Sequence, residues 1–141
     1  MKQKQKKQKK KLISWILLLA WMAFIFYMSQ QTGQVSSGQS GKIVLLLSKI
    51  GIEISKDNIS NITFIIRKSA HFTEYFILYI LLFNVIKHYI HTKKIIFYSI
   101  MGVIIYAVSD ELHQYFVPER SSTIKDVFID SCGGIVASII E

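Results

Sequence analysis

From Leu12 to Met28 the chain is apolar at almost every position, interrupted by Ser14, with Trp15, Trp21 and Tyr27 as its amphipathic members. At about 1.5 Å per residue such a block reaches roughly 26 Å as a helix, close to the hydrocarbon thickness of a bilayer. Further apolar blocks recur, separated by short polar stretches, so the pattern is neither the strict alternation of a strand nor the one-sided stripe of a soluble helix. With 51% hydrophobic and 18% charged residues in 141, the chain reads as an all-α membrane protein. Its cytoplasmic tail is residues 1–11 and its transmembrane domain residues 12–141.

The formal net charge of +8 is concentrated in that tail, where Lys2, Lys4, Lys6, Lys7, Lys9, Lys10 and Lys11 alternate with glutamine. Because the basic run abuts a hydrophobic block, anionic lipid is the expected counter-surface and no nucleic-acid partner is expected. A basic start followed by an apolar core also describes a secretory signal, but Met28-Ser29-Gln30-Gln31 lacks a small-x-small cleavage site, which favours an uncleaved first span. Cys132 stands alone in the sequence and, beside Gly133 and Gly134, is expected to pack as a small apolar residue.

Four transmembrane helices are expected, at about 12–28, 64–86, 95–112 and 124–140. Ser29 to Gly41 reads as an exterior loop rich in Ser, Gln and Gly. Lys42 to Ile54 has helical apolar spacing but is too short to span, so it is expected to lie on the interface or re-enter, with Lys42, Lys49 and Lys56 near headgroups. The lysine tail and the loop containing Lys87, His88, His91, Lys93 and Lys94 then share one side, which makes both termini cytoplasmic. Thr123 and Asp126 fit the start of the fourth helix.

This topology gathers ionisable residues at the outer face. Arg67, His71 and Glu74 share one face of the second span, Asp110, His113 and Gln114 one face of the third, and Asp126 and Asp130 one face of the fourth. Gly133 and Ala137 extend the last stripe, allowing close helix packing while the carboxylates meet Arg67 or Arg120. One reading is a structural ion-pair network. Another is an outward polar pocket in which Arg67 and Arg120 grip phosphate or carboxylate, with His71, Glu74, Asp110, Glu111, His113, Gln114, Asp126 and Asp130 as further binding candidates.

An enzyme acting on a lipid headgroup would use His71 or His113 as base with Glu74 or Asp110 as partner. The pairs His71-x-x-Glu74 and Asp110-x-x-His113 also place two possible metal ligands on each helix, but that spacing is weakly specific, and no cofactor is expected. Ser121 and Ser122 lack the context of a hydrolase nucleophile and suit a turn or cap. His88 and His91 are assigned no role.

Three ordered motifs make the chain resemble the VanZ-like family: Arg67-Lys68-x-Ala70-His71-Phe72-x-Glu74-Tyr75, then Ser109-Asp110-Glu111-x-His113-Gln114-x-Phe116, then Arg120 with Asp126 leading to Gly133 and Gly134. Ser29-Gln30 and the later Ser36, Ser37 and Ser40 are similar to a weaker serine-rich element of the family. Glu119 departs from the pattern, since the family commonly has glycine before this arginine. The resemblance implies a multi-pass protein of the bacterial cell membrane, in some members affecting susceptibility to teicoplanin and related lipoglycopeptides. It supplies no accepted reaction. The expected partners are membrane lipids, a lipid-linked cell-wall precursor or a lipoglycopeptide; a structural partnership with another membrane protein is the remaining alternative, and the oligomeric state is open.

Overall fold

The structure is a computed structural model that describes residues 2–55, 57–92 and 94–140. Lys56 and Lys93, expected near headgroups and in the basic loop, lie outside the described residues. Five helices follow one another: α1 Lys2–Ser29, α2 Gly33–Lys49, α3 Ile59–Ile86, α4 Lys94–Gln114 and α5 Ile124–Ser138.

Three helices, α1, α3 and α4, are long and apolar enough to cross a membrane. The expected count was four; α5 has 15 residues, about 22 Å of helix against a hydrocarbon layer of about 30 Å. It begins only after the polar stretch that ends at Thr123. At the other end of the chain, α1 starts at Lys2 and carries the lysine and glutamine tail as helix. Both residue types are good helix formers and tolerate full exposure.

The segment after α1 also differs from expectation. Ser29 to Gly41 is not a loop: most of it forms the first half of α2, opened by Thr32, whose Oγ1 accepts from the Val35 amide at 3.5 Å. The helix stops early because Gly51 adopts φ 93 and closes its C-terminal end, with the Ile52 amide donating to the Leu47 carbonyl at 3.2 Å. Residues 52–55 are therefore not helical.

α3 is the axis of the bundle and packs against each of the other four helices. The core joins Leu18 and Ile25 of α1, Tyr75, Leu78, Tyr79 and Val85 of α3, Val103 and Ala107 of α4, and Ala137 of α5. α5 lies closest to α3: a Cβ on Gly133 would stand 2.3 Å from the Phe72 carbonyl oxygen, so glycine is what lets the two backbones meet. Outside this core, Leu12, Ile16, Leu19, Phe64, Ile65, Phe97, Ile105 and Phe128 are exposed. A continuous apolar exterior of this kind is what lipid, not water, solvates.

Candidate functional site

The two ends of the bundle are chemically distinct. At one end the start of α1 meets the α3–α4 connection: Ser14 Oγ and His88 Nε2 are 3.2 Å apart, Trp15 Nε1 donates to the Tyr89 hydroxyl at 2.8 Å, and Lys11 Nζ sits 3.9 Å above the Tyr89 ring. Burial, together with Lys87 and Lys11, holds the His88 imidazole below its usual value. At the opposite end the close of α1, the start of α2 and the α4–α5 connection converge. There the Gly33 amide donates to the Pro118 carbonyl at 3.2 Å and Gln34 Nε2 to Glu119 Oε1 at 3.1 Å.

A cavity of about 130 Å³ opens at this second end. Arg67, His71 and Glu74, one stripe of α3, form one wall; Met28 and Ser29 of α1 and Ser36, Gln39, Ser40 and Ile43 of α2 form another, and Arg120 reaches in from the α4–α5 connection. α2 therefore contributes a wall of the cavity, a role that its Gly and Ser content concealed. The signal that was available is the i, i+4 pair Ser36 and Ser40: Ser40 Oγ bonds back to the Ser36 carbonyl at 3.1 Å, as serine does inside a helix.

The two arginines are held differently. Arg120 Nε donates to the Gln31 carbonyl at 2.9 Å and its Nη2 to the Met28 carbonyl at 2.7 Å, which ties the α4–α5 connection to the end of α1. Among the described residues these two bonds leave the other guanidinium donors unspent. Arg67 makes no ion pair among the described residues. Burial and the nearby Arg67 hold Arg120 below the usual arginine value, yet a guanidinium stays charged at neutral pH. Two cations thus border one cavity together with Glu74, and among the described residues no carboxylate is ion-paired to either.

The carboxylates of α5 have other partners than expected. Asp126 pairs with Lys68, a residue assigned no role from the sequence, and Asp130 Oδ1 stands 3.4 Å from His71 Nδ1. The stripe of α3 that faces α5 includes Lys68 and His71, whereas Arg67 is turned toward the cavity; one residue, about 100° of helix, decides the pairing.

Of the other candidates, Asp110 is buried and its Oδ2 accepts from Gln114 Nε2 at 2.9 Å, while the same Nε2 lies 3.3 Å from Ser29 Oγ. His113 stacks on Phe26 with ring centroids 4.7 Å apart, against α1 and not beside His71. Glu111 is buried on the α5 side, where its Oε2 accepts from the Thr123 amide at 3.3 Å and Ser122 Oγ donates to its carbonyl at 2.7 Å. The metal-capable set read from the sequence, His71, Glu74, Asp110 and His113, is not the group that converges. A ring nitrogen of His71 and one carboxylate oxygen each from Glu111 and Asp130 lie within 4.8 Å of one another.

Among known proteins, the family model described as VanZ/LLP1 matches residues 14–140. No curated protein and no solved structure matches the chain.

Proposed function

The chain belongs to the VanZ/LLP1 family, and from that premise and the geometry of the cavity we propose that it holds the phosphate-bearing headgroup of an envelope lipid or lipid-linked wall precursor. The observation that carries this reading is the pair Arg67 and Arg120 on one cavity, with Arg67 free of any ion pair among the described residues. Guanidinium groups bind phosphate bidentately, and they are strongest where water is partly excluded. Met28, Ile43 and Ile66 supply apolar lining beside the charges, as an amphiphile requires.

Topology supports the same reading. Lysines at the start of α1 and the basic α3–α4 connection share one end of the bundle, which the positive-inside rule assigns to the cytoplasm of a bacterial cell. The cavity then opens outward. α5 serves as a short fourth crossing, shielded by α3 and α4, and returns the chain to the cytoplasmic side. Shielding a wall precursor at the outer face is how such a protein would alter susceptibility to teicoplanin-type drugs.

The test is lipid binding by the purified chain in nanodiscs, with phosphatidylglycerol, a polyprenyl phosphate and zwitterionic phosphatidylcholine as probes. The two anionic lipids should bind at least about tenfold more tightly than phosphatidylcholine, and Arg67→Lys should remove that preference although it keeps the charge. Equal affinity for all three lipids sinks the reading. The enzymatic alternative has one observation of its own, the closeness of His71 Nδ1 to Asp130 Oδ1 at 3.4 Å, which sets a carboxylate beside a candidate base. Conversion of a lipid headgroup by the wild type, lost in His71→Ala, would select it.

A further inference from the structure

His71 belongs to the cavity wall and also to a second cluster, with Glu111 of α4 and Asp130 of α5, whose donor atoms lie within 4.8 Å of one another. Asp130 is 0% exposed, and among the described residues neither of its carboxylate oxygens takes a hydrogen bond. Glu111 is 3% exposed; the Thr123 amide occupies its Oε2, but its Oε1 has no hydrogen-bond partner among the described residues. His71 Nδ1 is buried without a hydrogen bond among the described residues as well, 3.4 Å from Asp130 Oδ1. Lys68, the cation on the same side of α3, is committed to Asp126, one helical turn before Asp130. Buried carboxylate oxygens without donors are strongly unfavourable, and so many in one place call for a shared partner.

We infer that His71, Glu111 and Asp130 form a binding site for one divalent metal ion of the zinc class. One imidazole and two carboxylates form a ligand set that zinc and its first-row neighbours accept. The 3.4 Å between His71 and Asp130 is about the separation of two ligands on a tetrahedral ion with bonds of roughly 2.1 Å. The other ligand separations, within 4.8 Å, would have to shorten as the ion binds. A divalent charge offsets the two carboxylates, and the Thr123 amide on Glu111 Oε2 orients that ligand as outer-shell contacts do. Three protein ligands leave a position for water or for an oxygen of an anion in the cavity that His71 also lines.

This inference does not rest on the headgroup reading, since the ion is held by side chains whether or not a lipid is bound. It is tested on the full chain, purified without a polyhistidine tag. A His88→Ala, His91→Ala background removes the histidines at the far end. After chelation the protein is titrated with Co²⁺ and then with Zn²⁺. One equivalent of Co²⁺ should give visible ligand-field bands that one equivalent of Zn²⁺ abolishes. Asp130→Asn and Glu111→Gln should each weaken binding by more than the roughly 10–100-fold that loss of an outer-shell partner costs, while His113→Ala binds as the background does. Absence of stoichiometric binding in the background protein overturns the site, even if the ligand variants fail to fold. So does an Asp130→Asn variant that folds and binds normally. Binding of anionic lipid by the chelated protein is measured in parallel, so that failure of the metal site and failure of the headgroup reading are seen separately.

Discussion

Arg67 and Arg120 bring like charges to one cavity, and the difference in how they are anchored separates binding from stability. Arg120 donates to two backbone carbonyls at the end of α1, so Arg120→Ala should lower stability by about 1.5–3 kcal/mol, the worth of hydrogen bonds from a charged donor. Arg67→Ala removes no ion pair among the described residues and should leave stability within about 0.5 kcal/mol while abolishing the preference for anionic lipid. Thermal unfolding in detergent beside nanodisc binding distinguishes the two. Glu119 gives a second residue-scale prediction. It holds φ 60, a conformation that costs a side chain about 1–2 kcal/mol and glycine almost nothing. Glu119→Gly, which restores the residue the family pattern has there, should raise the unfolding temperature despite losing the contact with Gln34. The stripe Arg67, His71, Glu74 was legible because helical spacing alone fixes it. The partners of Arg120 were not, because they are backbone carbonyls of Met28 and Gln31, at and just beyond the end of α1, and no spacing rule links them.

At the scale of elements, α2 and α5 are where sequence reading and structure part. Gly33, Ser36, Gly38, Ser40 and Gly41 suggest a loop by propensity, but packing on α3 overrides weak propensities. The length of α5 was overestimated because its apolar run continues to Ile140, past the last helical residue Ser138. The small-residue stripe on α5 was legible, since glycine beside alanine at helical spacing has few uses other than close approach. Two glycine substitutions check this contrast. Gly133→Ala forces a Cβ to 2.3 Å from the Phe72 carbonyl and should destabilise by about 1–3 kcal/mol. Gly38→Ala enters open space and should be neutral or stabilising by up to about 1 kcal/mol. Equal effects from the two changes would contradict the packing described for α3 and α5.

The whole molecule joins an apolar exterior, a basic end and a cavity at the opposite end. Arg67, His71, Glu74, Asp110, Glu111, Asp126 and Asp130 gather toward that cavity end, as a membrane requires of charges that cannot face hydrocarbon. Their pairing depended on rotations of single residues and was beyond the reach of hydropathy. Topology is checked in a Cys132→Ala background with His91→Cys or Glu119→Cys: an impermeant maleimide applied to intact cells should label the Glu119→Cys chain and spare the His91→Cys chain. The central claim is met most directly by native mass spectrometry of the gently extracted wild type and of Arg67→Lys. The wild type should retain a phosphate-bearing lipid that the variant has lost. A wild type that carries no such lipid, or a variant that retains it to the same extent, would contradict the assignment of this cavity to an anionic headgroup.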